Sequence, residues 1–197
     1  MLALYLAAAF FLGSVPNAYL AGRLLKKIDI RQHGSGNAGA TNVVRVLGRG
    51  PGIAVFLLDF LKGVVPAALF GVFFPQTPRL ELMCLVAGLF AVIGHMFTPF
   101  LSFKGGKGVA TAAGALCAAF PLLFFVSFVS WVVVFSVTKI VSVSSLASVS
   151  FVLAAAFLTQ PDTMVRVVFF GLFLLVFWSH RANISRLRKG QEHRFGK

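Results

Sequence analysis

The sequence predicts an all-α integral membrane protein with seven transmembrane helices, some of them short, its N-terminus outside and its C-terminus in the cytoplasm. Three observations carry this prediction: the composition, the lengths of the apolar runs, and the placement of the basic residues. Of 197 residues, 58% are hydrophobic and 12% charged, far from the balance of a water-soluble domain and suited to lipid as solvent. A crossing needs about 17 to 25 residues, so the chain has room for roughly six to eight of them and short loops, and reads as one domain over residues 1–197.

Taken in order, apolar stretches of spanning length occupy residues 2–22, 52–74, 82–101 and 164–179. The first begins at the N-terminus without the basic flank of a signal peptide and is read as a first membrane helix. Residues 108–158 form a stretch of 51 whose sole charge is Lys139, interrupted by Pro121 and by the polar patch 138–145. It holds either two long helices or three short ones.

Basic residues decide between these. Arg23, Lys26, Lys27, Arg31, Arg45 and Arg49 lie after the first helix, Lys104 and Lys107 after the third, and Arg181, Arg186, Arg188, Lys189, Arg194 and Lys197 in the tail. Cytoplasmic loops accumulate Lys and Arg, and the tail shares a side with the other two groups only if an even number of crossings follows Lys107. Three helices within 108–158, with turns near 120–121, 138–141 and 160–162, satisfy that parity. Lys139 then also faces the cytoplasm, giving 15 of the 18 basic residues inside. Helices as short as 108–120 require tilt, local thinning or a polar cavity.

The formal charge is +13, from 18 Lys and Arg against 5 Asp and Glu. On a soluble chain this would suggest nucleic acid, but the topological bias accounts for most of the excess and no nucleic-acid partner is expected. Cys84 and Cys117 fall in apolar runs without metal-ligand or C-x-x-C spacing and read as buried, inert thiols.

Four polar stretches gather on the cytoplasmic face. Residues 33–45 (HGSGNAGATNVVR) combine Gly34, Gly36 and Gly39 with the short polar side chains Ser35, Asn37, Thr41 and Asn42 and the guanidinium of Arg45. Glycines permit positive φ and close backbone approach, so this inventory suits a phosphate; a flexible loop leading into an amphipathic helix is the plainer alternative. Residues 102–108 (SFKGGKG) place Lys104 and Lys107 around Gly105 and Gly106 before a helix, where N–H groups and the helix dipole add to the ammonium charges. The Walker A pattern is absent, because Gly108 follows Lys107, and nucleotide hydrolysis is disfavoured. Residues 138–145 (TKIVSVSS) open an apolar helix with serines; Ser144 and Ser145 suit close packing, and Ser142 is the better substrate contact. Residues 180–192 (HRANISRLRKGQE) put His180 and Asn183 on one face if the helix continues. Asp59 and Lys62 stand at i and i+3 inside the second helix, where isolated charges are expensive, either neutralising each other or bordering a cavity. His95 reads as a core histidine.

Through GSVP at 13–16, SGNAGATNVVR at 35–45, FKGGKGVA at 103–110, VSVSS at 141–145 and HRANISRL at 180–187, with Gly190 and Glu192, the chain resembles the bacterial membrane acyl-phosphate:glycerol-3-phosphate acyltransferases of the PlsY type over nearly its whole length. The resemblance implies transfer of a fatty acyl group from acyl phosphate to the sn-1 hydroxyl of glycerol 3-phosphate, giving lysophosphatidic acid and inorganic phosphate, the first step of phospholipid synthesis at a bacterial inner membrane. It implies no cofactor and no obligate protein partner. The His-x-x-x-x-Asp box of acyl-CoA-using enzymes is missing: five residues after His33, His95 and His180 stand Ala38, Phe100 and Ser185.

An acyl phosphate is already activated, so the expected work is to juxtapose two anions and stabilise developing charge. Arg45, Lys104 and Lys107 are assigned to the phosphates. Ser35, Thr41 and Asn42 serve as neutral donors, and Gly36, Asn37, Gly105 and Gly106 are expected to bind substrate with them. Ser142, His180 and Asn183 orient the glycerol, the proton passing either to a substrate phosphate oxygen or to His180. Asp29, Asp59, Glu81, Asp162 and Glu192 are scattered, so no metal is expected. A small transporter or channel for phosphate-type anions is the rival reading, although no internal repeat is visible. A CDP-alcohol phosphotransferase lacks its aspartate cluster here.

Overall fold

The computed structural model describes residues 1–195; Lys197, the last basic residue of the tail, lies outside them. The described residues are helical apart from loops and two short 3₁₀ turns, Ile30–Gln32 and Pro99–Leu101. The helices are α1 (Leu2–Ser14), α2 (Asn17–Lys26), α3 (Ala40–Leu47), α4 (Arg49–Phe73), α5 (Leu80–Met96), α6 (Val109–Ala119), α7 (Pro121–Thr138), α8 (Val141–Thr159), α9 (Thr163–Ser179) and α10 (Arg181–Arg188). They form two compact units, one comprising Met1–Phe120 and the other beginning at Pro121.

Five segments are long and apolar enough to cross a membrane: Leu2–Lys26, Arg49–Phe73, Leu80–Leu101, Pro121–Thr138 and Val141–Thr159. The pair α9 and α10, bent by 57°, makes a sixth. Stretch 108–158 does divide into three helices, but α6 has 11 residues, about 16 Å at the α-helical rise and roughly half the hydrocarbon thickness. Their outward faces are apolar, as lipid requires: Leu57, Leu58 and Leu61 on α4, Phe125, Phe128 and Val133 on α7, and Val167 and Leu174 on α9 are exposed.

The first helix is not continuous. Pro16 has no N–H to donate and disfavours helical backbone at Val15, so the chain breaks there and restarts at Asn17. The Val15 carbonyl at the break accepts the Asn17 N–H and the Lys62 ammonium. Lys62 also donates to Asp59 Oδ1 at 2.8 Å, and Asn17 Nδ2 donates to the same oxygen at 3.0 Å. Both charged side chains are at most 5% exposed. The pair therefore neutralises itself and satisfies the break, where a lone charge at mid-membrane would cost ~3 kcal/mol or more.

Close helix crossings hold this unit together. α1 lies on α5, with Gly13 against the Ala91 backbone and Gly94 against the Phe10 carbonyl. α4 lies on α6, with Gly63 facing the Thr111 carbonyl and Gly114 facing that of Phe60, while Gly88 of α5 faces Ala115. Without a hydrophobic force between helices in lipid, such small residues permit the backbone approach that gives van der Waals cohesion. In the second unit α8 packs on α7 and α9. Ser148 Oγ donates to the Ser127 carbonyl at 2.9 Å and Trp131 Nε1 to Ser145 Oγ at 3.3 Å, so Ser145 is a packing residue.

A methyl group on Gly63 would press on the Thr111 carbonyl and lie 2.7 Å from the Ala115 nitrogen. Gly63→Ala is expected to destabilise the chain by ~2 kcal/mol through overpacking, read as a lowered unfolding midpoint in detergent. Gly171, with open space around it, should tolerate alanine with an unchanged midpoint.

Candidate active site

In the first unit, residues 29–45 are folded around one buried amide. Asp29 accepts the Arg31 N–H at 3.0 Å and pairs with the Arg31 guanidinium at 2.7 Å, opening the 3₁₀ turn. The hydrogen bonds from Arg31 hold the Asp29 carboxyl below its usual range. Gly34 and Gly36 take φ of 60° and 73°, the left-handed region, whereas Gly39 is extended at φ −146° and opens α3. Asn42, fully buried, donates from Nδ2 to the carbonyls of Ile30 and His33, both at 3.0 Å, and accepts the Ser35 N–H at 2.8 Å. Expected as a donor to substrate, its amide is thus occupied in building the loop. Ser35, Asn37, Thr41 and Arg45 are partly exposed and Gly36 is exposed. Thr41 and Arg45, four residues apart on α3, share a face. Beneath them Val43 packs with Ile30, Ala18 and Val55.

The second loop is built on the end of α5. Ser102 and Phe103 adopt left-handed backbone, and the Phe103 N–H donates to the Thr98 carbonyl at 2.9 Å. Gly105 N–H donates to Met96 O at 3.0 Å and Gly106 N–H to His95 O at 3.1 Å. These two N–H groups, expected to face an anion, are therefore spent on α5. Gly105 and Gly106 are required for another reason: a Cβ on either would collide with His95, and one on Gly106 would also meet the Ala38 carbonyl. That approach of Ala38 to Gly106 sets the two glycine-rich loops side by side. Lys104 is exposed and Lys107 partly exposed at the rim, and Gly108, at φ 77°, starts α6.

The second unit holds a separate polar cluster. α9 ends in a bend at His180 rather than continuing, and His180 and Asn183 are both buried. His180 Nδ1 lies 2.8 Å from the Val176 carbonyl. A carbonyl only accepts, so Nδ1 carries a proton. Gly190, at φ 67°, ends α10 in a Schellman turn, with Gln191 N–H donating to Arg186 O at 2.8 Å and Gly190 N–H to Leu187 O at 3.0 Å. This reverses the chain and brings Glu192 back. Its Oε1 accepts from Ser142 Oγ at 2.9 Å and Asn183 Nδ2 at 2.6 Å, and its Oε2 from Arg186 at 2.8 Å. Sequence reasoning named Gly190 and Glu192 within the family motif but gave Glu192 no role; a glycine two positions before an acid that follows a helix is the signal for the turn that brings it back.

Burial alone would raise the Glu192 carboxyl, but the bonds from Asn183, Arg186 and Ser142 outweigh it and hold the group below its usual range. A depressed carboxyl contributes stability above its unfolded pKa and loses it as pH falls through the folded one. Glu192→Gln should therefore lower the unfolding midpoint at pH 7, the gap to the parent closing below about pH 4. Asn42→Ala, which strands the Ser35 N–H and two carbonyls, should cost ~2 kcal/mol and expose the 33–39 loop to limited proteolysis.

Comparisons with known proteins show which family the chain belongs to. A family model described as glycerol-3-phosphate acyltransferase matches residues 3–190. A glycerol-3-phosphate acyltransferase 2 of Lactobacillus acidophilus is 42% identical over 94% of this chain and 86% of its own length. A glycerol-3-phosphate acyltransferase of Bacillus subtilis is 41% identical over 95% and 94%. Among solved structures, PlsY (YgiH), an integral membrane glycerol 3-phosphate acyltransferase in its glycerol 3-phosphate form, superposes with a TM-score of 0.91 at 38% identity, covering 99% of this chain and 96% of that one. Its lysophosphatidic acid form gives 0.87 at 37% identity, covering 99% and 95%. On the family match, the identities and the shared all-α membrane fold, the chain belongs to the glycerol-3-phosphate acyltransferase family of integral membrane enzymes.

Proposed function

We propose that this chain transfers a fatty acyl group from acyl phosphate to the sn-1 hydroxyl of glycerol 3-phosphate, releasing lysophosphatidic acid and inorganic phosphate. The observation that carries the reading is the abutment of two cationic, glycine-rich loops through Ala38 and Gly106. Two phosphate-bearing substrates repel each other, and two adjoining basic loops offset that repulsion at the step where they must approach. The solved relatives are described as the glycerol 3-phosphate and lysophosphatidic acid forms of their enzyme, which supports the same acceptor and product here.

Arg45, Lys104 and Lys107 take the phosphates, with Ser35 and Thr41 as neutral donors and Gly36, Asn37, Gly105 and Gly106 shaping the loops. Asn42 acts through the loop it organises. In the second unit Glu192 aligns Ser142 and Asn183, which with His180 orient the glycerol hydroxyls. The proton of the attacking hydroxyl passes either to a phosphate oxygen or to His180. The tetrahedral oxygen collapses to the ester as the acyl–phosphate bond breaks and phosphate departs, needing no cofactor.

Residues 1–197 act as one transmembrane acyltransferase domain that crosses the bacterial inner membrane seven times, N-terminus outside, with its polar loops in the cytoplasm. The parity of the basic residues supports this, α6 crossing through locally thinned or protein-lined membrane. Neither nucleic acid nor an obligate protein partner is involved.

The test is phosphate release by the purified chain in lipid or detergent. Palmitoyl phosphate should release phosphate only when glycerol 3-phosphate is present and yield lysophosphatidic acid; palmitoyl-CoA should give none. Arg45→Ala and Lys104→Ala should each lower kcat/KM ~100-fold, the loss expected for removing one charge-assisted contact to phosphate. Phosphate flux into liposomes without product would instead establish an anion transporter.

A further inference from the structure

We propose that His95 is a positioning residue for acyl transfer: a strut that carries the fixed position of the Asp59 and Lys62 pair to the loop bearing Lys104 and Lys107. The inference rests on the reading of that loop as a phosphate site. One edge of the imidazole, Nδ1, lies 3.6 Å from Asp59 Oδ1, an electrostatic contact rather than a hydrogen bond. The other edge, Nε2, borders Gly106 where no side chain could fit. The His95 carbonyl accepts the Gly106 N–H at 3.1 Å, and that of its neighbour Met96 accepts the Gly105 N–H at 3.0 Å. Ring and carbonyl of His95 thus hold Gly106, and the carbonyl of the next residue holds Gly105, between the two lysines.

What makes the strut rigid is its footing. Asp59 is fixed by Lys62 at 2.8 Å and Asn17 at 3.0 Å, and Lys62 in turn by the Val15 carbonyl, so the carboxylate is locked to the break between α1 and α2. The far end of the loop is tied to the same break: Thr98 Oγ1 donates to the Ser14 carbonyl at 2.6 Å, and the Thr98 carbonyl receives the Phe103 N–H at 2.9 Å. His95 is buried at 8% exposure and faces Asp59 on one side and Gly106 on the other, so its effect on a substrate passes through the loop. Displacing the loop by even 1 Å would move both ammonium groups, and misplacements of that size cost on the order of 100-fold in rate.

A double-mutant cycle tests this in lipid nanodiscs, with palmitoyl phosphate and glycerol 3-phosphate as substrates. His95→Ala should lower kcat/KM by ~30-fold or more with most of the loss in KM, because phosphate binding weakens. In a Lys104→Ala background the same change should cost less than about threefold, since the group being positioned is gone. His95→Asn, whose amide nitrogen replaces Nδ1 beside Asp59, should recover most of the loss. Losses from His95→Ala and Lys104→Ala that multiply, or a His95→Ala chain within about threefold of the parent while Lys104→Ala is impaired, would overturn the strut and leave the phosphate reading intact. A Lys104→Ala chain with unchanged kinetics would overturn both. If His95→Ala does not fold, Gly106→Ala, whose methyl pushes the loop off the imidazole, goes through the same cycle with the same expected outcome.

Discussion

Asp59 and Lys62 stand one turn apart in α4, in a segment whose other face is turned to lipid, and the loop end of the first unit is arranged around them. Proline ends α1 within the first apolar span and leaves the Val15 carbonyl without its usual helical donor. Lys62 answers that carbonyl, Asp59 answers Lys62, and Asn17 and His95 close in on Asp59. Each member would be costly alone, and together they form a neutral polar knot inside an apolar bundle. The break it stabilises is what turns the chain from spanning helix to the Arg- and Lys-rich segment that follows.

The two glycine-rich loops illustrate a division of labour. Their backbone groups are largely consumed by the fold: Ser35 N–H by Asn42, Gly105 N–H by Met96 and Gly106 N–H by His95. Glycine is needed at 105 and 106 for close packing, and at 34 and 36 for positive φ. Under the proposed function, anion affinity is left to the side chains of Arg45, Lys104 and Lys107, mounted on loops whose shape is fixed beforehand. For an already activated donor, such preorganisation is the greater part of catalysis.

The fold was legible to the extent that lipid imposes it. The runs at 52–74 and 82–101 correspond to α4 and α5 within a few residues, and the basic residues divided 108–158 into three helices as found. The break at Pro16 was missed because apolar residues continue on both sides, so hydropathy cannot distinguish one helix from two. Whether the helix continues past His180 was left open, since polar residues after an apolar helix are compatible with either course. At the site, the loops themselves were visible from their glycines and cations. The contacts of Asn42 and Glu192 within the protein were not legible, because a residue type does not state whether its hydrogen bonds go to the protein or to a substrate.

The sequence by itself determined the solvent, the approximate extents of the long apolar helices and the two loops in which glycines and basic residues gather, because each is a property of composition or of spacing along the chain. Only the tertiary structure decided which polar groups are used up in building the loops and which remain at their surface. Ser142 meets Glu192 across 50 residues and Asn17 meets Asp59 across 42, separations over which no local periodicity operates. Each pairing exists only once the helices of its own unit have packed; in the first unit Gly63, Gly88, Gly94 and Gly114 are what permit the close crossings.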